Sequence, residues 1–199
     1  EEFGFSRKAD EEAARLLDAL MAKMEVYPLE LLRQKLSGVV TVCGHAPGLE
    51  EELSSADLSG TVIAADGATS ALMHVAGRAP DIIVTDLDGD VGDQVDANAQ
   101  GAIVVIHAHG DNIDALNRYV PRFPGGIMGT TQARPFGRLH NFGGFTDGDR
   151  AVLMARHFGA TVRTIGFDFE TPRPKKGRDD GLKRKKLSWA RRLIGEHQL

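Results

Sequence analysis

Six short apolar segments, separated by helical patterns and polar turns, limit the folds available to this chain more than any other feature. Most are continuously apolar instead of alternating, as strands buried on both faces of a parallel sheet are. The predicted strands are residues 39–43, 61–65, 82–85, 103–106, 126–129 and 162–166. Helical segments lie between most of them, notably at 70–75, 113–119 and 147–158. This alternation predicts an α/β fold with a doubly wound, mostly parallel sheet.

The first 37 residues carry helical periodicity instead of strand-like segments. In residues 10–24, apolar side chains recur at the spacing of one helical face. Pro28 suits the first turn of a second helix that ends near Leu36. We therefore predict an N-terminal helical arm, residues 1–37, and an α/β domain, residues 38–199, with a basic loop and a C-terminal helix. A chain of 199 residues can bury one sizeable core, so the two parts should form one globular unit.

Composition argues against several classes of protein. The 24 basic and 28 acidic residues leave a net charge of −4, which offers no overall attraction to nucleic acid. No apolar run approaches the roughly 18 residues of a membrane span. Cys43 is the only cysteine, which rules out an intramolecular disulfide and fits a reducing compartment. We expect a cytoplasmic protein with no nucleic-acid or membrane partner.

An acidic loop, Asp-Leu-Asp-Gly-Asp at residues 86–90, follows the third predicted strand. Ligands of α/β sheets bind outside the carboxyl ends of the strands. Residues 81–96 contain six Asp and no Lys or Arg, and a purely structural loop would gain nothing from such repulsion. Carboxylate oxygens are ligands that Mg²⁺ prefers. We therefore predict a magnesium role for Asp86 and Asp88, and a solvated or helix-capping role for Asp90.

Polar, glycine-rich loops follow the other predicted strands as well. They are residues 44–48, 66–69, 107–112, 129–132 and 141–149. Because parallel strands end at one edge of the sheet, these loops should converge on the acidic loop. Glycines let the backbone approach a ligand closely, while Asp66 and Asp111 add carboxylates.

Two local patterns are similar to motifs of other enzymes. The spacing His107-x-His109-x-Asp111 is similar to the HxHxDH zinc signature of metallo-β-lactamase-like hydrolases, but Asn112 replaces the final His. The segment 86–89 is similar to the DLDGT motif of haloacid-dehalogenase-like phosphatases, but it lacks the Thr and follows the third strand instead of the first. We favour a magnesium site that Asp111 joins, with the histidines orienting loops or touching phosphate.

A basic segment near the carboxyl end could neutralise a polyphosphate. Residues 173–192 contain ten Lys or Arg and two Asp. A basic loop beside an acidic metal site could close over phosphate groups and exclude water, although a solvated helix face and linker would have the same composition. The candidates for triphosphate contact are Lys175, Lys176 and Arg178.

Five segments together resemble the archaeal 6-hydroxymethyl-7,8-dihydropterin pyrophosphokinases, whose catalytic fold is similar to that of thiamine pyrophosphokinase. They are ADGATSAL at 65–72, PDIIVTDLDGD at 80–90, HAHGDN at 107–112, GTTQ at 129–132 and NFGGFTDGDRA at 141–151. The resemblance extends from about Phe3 to the final helix. One loop departs from it, because Gly-His-Ala-Pro-Gly-Leu at 44–49 stands where members usually read Gly-x-Gly-Pro-Ser-Leu.

The resemblance implies an enzyme that moves the β,γ-diphosphoryl group of ATP to 6-hydroxymethyl-7,8-dihydropterin and releases AMP, in tetrahydromethanopterin or folate-type pterin biosynthesis. It also implies Mg²⁺ as cofactor, ATP as co-substrate, a reduced pterin alcohol as partner, and a homodimer. The implied metal ligands are Asp66, Asp86, Asp88 and Asp111, of which Asp86, Asp88 and Asp111 are the catalytic candidates. The implied ligand contacts are Gly44, Asp66, Gly67, Asn112, Thr130, Thr131, Gln132, Gly143, Gly144, Thr146 and Asp147.

Two alternatives remain open from the residues themselves. The Asp motifs concern the binding of phosphate and metal and not of the acceptor. A thiamine-type pyrophosphokinase with another alcohol acceptor would therefore carry the same loops. A regulatory module that binds nucleotide without catalysis would also retain them. Asp147 has a further structural alternative, because a residue at that position could merely cap the helix that follows.

Overall fold

The computed structural model describes residues 7–170, 181, 188–192 and 194–195. The strands in this part of the chain are β1 (Val39–Cys43), β2 (Thr61–Ala65), β3 (Ile82–Thr85), β4 (Ile103–Ala108), β5 (Ile127–Thr131), β6 (Leu139–His140) and β7 (Thr161–Ile165). The helices are α1 (Arg7–Met21), α2 (Leu29–Lys35), α3 (Leu49–Leu53), α4 (Ala68–His74), α5 (Val91–Ala99), α6 (Ile113–Tyr119) and α7 (Asp147–His157). Residues 188–192 and 194–195 are also helical.

The strands form one parallel sheet in the order β6-β5-β4-β3-β2-β1-β7. From β1 to β6 each strand is added on the same side of its predecessor. The chain then returns through α7, and β7 pairs with the free side of β1. Because parallel crossovers are right-handed, this reversal brings α7 to the opposite face of the sheet from α3–α6.

Buried apolar clusters lie on both faces of the sheet. On one face, α1 packs with Val104 and Ile106 of β4, and α3 and α4 pack over Val62. On the other face, α2 and α7 cover Val105 and the remaining alternate strand residues. Helices on both faces confirm the predicted doubly wound α/β fold. No helix in the described ranges is long and apolar enough to cross a membrane.

Two observed strands are longer than predicted at their carboxyl ends, and one strand was not predicted. The first three strands have the predicted bounds, but β4 continues to Ala108 and β5 to Thr131. Thr130 and Thr131, expected in a loop, are therefore buried strand residues. The two-residue strand β6 and the helices α3 and α5 were not predicted. In α5, Asp and Gly interrupt the apolar pattern, and Asp90 caps the helix by accepting from the backbone N–H groups of Gly92 and Asp93.

The predicted N-terminal arm packs directly on the sheet. Leu17 and Met21 of α1 are fully buried, and α1 contacts β4, β5 and α6. Leu32 and Leu36 are buried on the opposite face. The first 37 residues thus contribute to the core on both faces of the sheet, while their division from the α/β domain stays a prediction.

Candidate active site

Three carboxylates meet above the carboxyl ends of β2 and β3. Asp66 follows β2, Asp86 follows β3, and Asp147 is the first residue of α7. One carboxylate oxygen of each residue lies within 4.8 Å of the other two. Within the described ranges, this is the one group of three or more His, Cys, Asp or Glu side chains with such spacing. We refer to these three residues as the carboxylate triad.

Hydrogen bonds from the acidic loop and from the two elements beside it, β3 and α5, hold Asp66 in place. Its Oδ1 accepts from Thr85 Oγ1 at 2.8 Å, from Gln94 Nε2 at 3.0 Å and from the Gly89 amide at 3.2 Å. Asp66 and Leu87 have φ of 44° and 67°, a left-handed conformation that costs about 1–2 kcal/mol for residues with a Cβ. The Leu87 amide donates to the same Thr85 hydroxyl at 2.8 Å. These bonds offset the backbone strain.

Negative charge concentrates at the triad. Burial raises the pKa of Asp66 to about 7, and the charges of Asp86 and Asp88 add to the effect. Burial also raises the pKa of Asp147 well above its ordinary value, with Asp86 and Asp66 adding to the rise and Arg150 opposing it. Asp66 and Asp147 therefore retain protons at higher pH than ordinary carboxyl groups do, unless a cation compensates the charge.

Arg150 supplies a positive charge one turn after Asp147 in α7. Burial lowers the pKa of its guanidinium, but Asp147, Asp149 and Asp86 raise it. A guanidinium remains protonated in proteins even when it is shifted in this way. Its Nη1 lies 3.4 Å from Nδ1 of His107. Arg150 therefore faces the triad as a fixed cation.

The triad fits a hard divalent cation. Asp86 Oδ1 is buried, and no described residue makes a hydrogen bond to it. An orphaned carboxylate oxygen is costly in a protein interior, and a metal ion would satisfy it. The other oxygen, Oδ2, lies 3.5 Å from Nε2 of His109. His109 Nδ1 accepts from the Asp111 amide at 3.3 Å, which leaves Nε2 as the protonated nitrogen facing Asp86.

The structure brings two of the four predicted metal ligands, Asp66 and Asp86, into the triad. Asp88 is exposed, but its side chain contacts the Asp66 carboxyl group. The Asp111 side chain is 74% exposed and lies 4.0 Å from Nδ1 of His109, outside the triad. Nor do His107, His109 and Asp111 form a zinc-like group in the described part of the chain.

Two of the predicted binding glycines pack tightly against other loops. A Cβ on Gly44 would lie 2.6 Å from the Gly166 carbonyl oxygen. A Cβ on Gly67 would collide with the ring of His45. Both glycines therefore allow close approach between protein segments in this structure.

Four other predicted contacts connect parts of the protein to one another. Asn112 Nδ2 donates to the carbonyl oxygens of Asp86 and His107 at 2.9 and 2.8 Å. Thr130 Oγ1 donates to the Ile106 carbonyl at 3.2 Å, and Thr131 Oγ1 accepts from the Ala133 amide at 3.1 Å. Gln132 Nε2 donates to Asp10 of α1 at 2.7 Å. These links hold the ends of β3, β4 and β5 in a defined relation.

The predicted loop before α7 forms the entry to that helix. Gly143 and Gly144 have φ of 85° and 100°, which glycine adopts without strain. Thr146 and Asp149 form a reciprocal capping box. Because Asp149 accepts from the Phe145 and Thr146 amides, the cap does not require the Asp147 side chain, which joins the triad instead.

Lys175, Lys176 and Arg178 lie outside the described residues. The described part of the C-terminal helix packs near the same site. The ring centroids of Trp189 and Phe145 are 5.8 Å apart, and Ala190 is buried.

Sequence reasoning gave no role to Arg150, Thr85 or Gln94, and treated Asp147 as a ligand contact or a helix cap but not as a metal ligand. A signal for Arg150 was present, because residues three apart on a helix lie on the same face. Thr85 is the last residue of a strand that precedes the acidic loop, a position that favours a supporting hydroxyl. The role of Gln94 depends on the position of α5, and the sequence did not predict that helix.

The chain is similar to members of one protein family. Residues 16–173 match the family model described as 6-hydroxymethylpterin diphosphokinase MptE-like. Three relatives carry the name 6-hydroxymethyl-7,8-dihydropterin pyrophosphokinase. The protein from Methanothermobacter thermautotrophicus is 46% identical over 207 residues, covering 98% of this chain and 88% of the relative. The protein from Pyrococcus furiosus is 44% identical over 174 residues, covering 84% and 72%. The protein from Methanocaldococcus jannaschii is 36% identical over 216 residues, covering 98% and 89%.

Proposed function

The chain belongs to the MptE-like 6-hydroxymethylpterin diphosphokinase family, and on that basis we propose that it transfers the diphosphoryl group of ATP to 6-hydroxymethyl-7,8-dihydropterin. The shared name of the three relatives supports this acceptor. The observation that carries the chemistry is the carboxylate triad at the carboxyl edge of a parallel sheet. The reaction places the enzyme among the ATP-dependent transferases of pterin metabolism.

The reaction joins the hydroxymethyl oxygen to the β-phosphorus of ATP. The bond between that phosphorus and the oxygen bridging to the α-phosphate breaks, and AMP leaves with the bridging oxygen. The hydroxymethyl proton passes to a base. Phosphoryl transfer needs little covalent chemistry from the protein, so positioning and charge neutralisation account for the catalysis.

We propose that Asp66, Asp86 and Asp147 hold magnesium. When bound, magnesium would neutralise phosphate charge and orient the phosphate oxygens. Support comes from the three clustered carboxylates and from the buried, unpartnered Oδ1 of Asp86 among the described residues.

Two further side chains support the transfer. Arg150 stays protonated beside the triad and would stabilise negative charge on the transferred group. Asp88 contacts Asp66 yet stands outside the triad, so it is our candidate for the base that accepts the hydroxymethyl proton.

An assay for AMP formation with ATP, magnesium and the reduced pterin alcohol tests donor, acceptor and bond cleavage together. We expect Asp86→Asn and Asp147→Asn each to lower kcat at least about 100-fold, because an amide is a weaker metal ligand than a carboxylate. Asp96→Asn is the matched control, since Asp96 is exposed on α5 in the same acidic segment. Near-normal turnover in both triad variants would refute the assignment.

The alternatives give different results in the same assay. A thiamine-type enzyme would release AMP with thiamine in preference to the pterin alcohol. A regulatory module would bind ATP without releasing AMP with either alcohol. Parallel reactions with each acceptor and a binding measurement with ATP separate the three functions.

We further propose a cytoplasmic location, a homodimeric assembly and a place in the synthesis of tetrahydromethanopterin or folate-type pterins. The free, buried thiol of Cys43 supports a reducing compartment. The names of the relatives support a place in pterin metabolism. Light scattering of the purified chain tests the dimer, and a single mass of about one chain would refute it.

A further inference from the structure

A pocket lies beside the carboxylate triad on the face of the sheet that α7 covers. Val84 and Val105 form an apolar wall from the sheet, and Met154 of α7 faces them. Thr130 and His107 line its polar end, where Thr130 Oγ1 lies 3.1 Å from His107 Nδ1. Apolar walls with a few fixed polar groups are the usual setting for a flat heterocycle.

The pocket and the triad share two elements, β3 and α7, and therefore lie next to each other. Val84 precedes Asp86 by two residues on the same strand segment, and Arg150, which also lines the pocket, follows Asp147 by one helical turn. Nη1 of Arg150 is 3.4 Å from His107 at the polar end. A ligand in the pocket would therefore lie beside Arg150, which also interacts with the charges of Asp147 and Asp86.

The covalent structure of the two substrates decides which ring fits this position. In the pterin alcohol, one carbon separates the ring from the oxygen that attacks the β-phosphorus. In ATP, the ribose and the α-phosphate separate the adenine ring from the same phosphorus. A ring pocket one helical turn of α7 away from the triad therefore suits the acceptor better than the nucleobase.

We propose that this pocket binds the heteroaromatic ring of the alcohol acceptor, with the hydroxymethyl group directed at the triad. The assignment rests on the proposed function and adds the residues that select the acceptor. Thr130 uses its hydroxyl proton on the Ile106 carbonyl, so its oxygen can accept from a ring N–H group. His107 and Thr130 are 1% and 7% exposed, so the polar end is closed. The more exposed loop 141–143 forms the side through which a ring would enter.

Two substitutions test the pocket by different physical routes. Thr130→Val removes a hydroxyl while keeping the shape of the side chain, and should raise KM for the pterin alcohol about three- to tenfold. Val105→Ile adds a methyl group to the apolar wall and should raise the same KM about tenfold. Both variants should leave KM for ATP within about twofold of the unsubstituted protein.

The matched control is Thr41→Val. Thr41 is 1% exposed on β1, three strands from β4, and its hydroxyl makes no hydrogen bond to a described residue. This variant makes the same Thr-to-Val substitution at a similarly buried position away from the pocket, so neither KM should change. Thermal unfolding of all three variants checks that they fold.

Binding of oxidised 6-hydroxymethylpterin, followed by its fluorescence without ATP, separates this inference from the proposed reaction. Weaker binding, by a similar factor, in both pocket variants but not in Thr41→Val supports the pocket even if the chain releases no AMP. A raised KM for ATP instead of the alcohol would assign the pocket to the nucleobase and overturn the inference. Unchanged constants in both pocket variants, or no binding by the unsubstituted chain, would also overturn it.

Discussion

Gly89 leaves room for the carboxylate on which the triad depends. A Cβ at this position would lie 2.6 and 2.8 Å from the two carboxylate oxygens of Asp66. The Gly89 backbone does not have a positive φ, so alanine would be tolerated by the backbone itself. The requirement for glycine comes from its contact with Asp66.

We expect Gly89→Ala to lower kcat by about tenfold to 100-fold with a retained fold, because the methyl group would displace Asp66 by a large fraction of an ångström or more. Steady-state AMP formation and the melting temperature measure the two effects. Gly195→Ala is the control, since a Cβ there meets nothing within 4 Å among the described residues. Equal activity of the two variants would contradict the role assigned to Gly89.

Thr85 makes two hydrogen bonds that support the acidic loop. Thr85→Val would remove the donor to Asp66 and the acceptor of the Leu87 amide. We expect the free energy of unfolding to fall by about 1–3 kcal/mol, because a buried N–H group would lose its partner. Urea unfolding measures the loss. Thr41→Val should change stability less, since the Thr41 hydroxyl has no partner among the described residues; equal losses would refute the explanation.

At the scale of elements, α1 connects the loops that follow β4 and β5. Asp10 accepts from the Gly110 amide at 2.8 Å and from Gln132 Nε2 at 2.7 Å. The Gly110 turn also holds His109, whose Nε2 faces Asp86 at 3.5 Å. A helix near the start of the sequence thus supports the position of Asp86 through the turn that contains His109 and Gly110.

We expect Asp10→Ala to lower both stability, by about 1–3 kcal/mol, and kcat, because the turn that carries His109 would loosen. Asp18→Ala on the same helix is the control. Asp18 accepts from the Arg138 amide at 2.8 Å, in a loop that does not carry the triad. Chemical unfolding and AMP formation should show a stability loss in both variants and an activity loss in Asp10→Ala alone. A parallel loss of activity in Asp18→Ala would show that stability alone is responsible.

At the scale of the whole molecule, the triad makes stability depend on pH. The folded-state pKa of Asp66 is about 7, above its ordinary value of 3.8, and that of Asp147 is also raised. At a pH between the ordinary pKa and the raised pKa, the folded protein holds protons that the unfolded chain has released. The free energy of unfolding therefore falls as pH rises through about 4 to 7.

In the presence of a chelator, the melting temperature should fall by several degrees between pH 5 and pH 7.5. Asp66→Asn should reduce this dependence, because an amide does not titrate. Added magnesium should raise the melting temperature more at pH 7.5 than at pH 5, since metal ligands bind in the deprotonated form. A melting temperature that rises over this range in the chelator would contradict the direction of the pKa shifts.

Much of the fold could be predicted because each apolar strand is visible in the sequence as a local pattern. The bounds of β1, β2 and β3 agree with the prediction, since each is a continuous apolar run bordered by polar turns. α5 has no such signal, because only part of one face is buried and its cap, Asp90, belongs to the acidic loop. The two-residue strand β6 is too short to form a periodic pattern.

The sequence by itself determined the parallel sheet and the strand ends that carry Asp66 and Asp86, because strand period and chain order are local properties. Only the tertiary structure decided which third carboxylate joins them. The reversal after β6 brings α7 across the other face and places Asp147 at the triad, while the turn after β4 leaves Asp111 exposed. The direction of a side chain beyond a strand end depends on the packing of distant elements, here α7 and α1, and no local pattern encodes it.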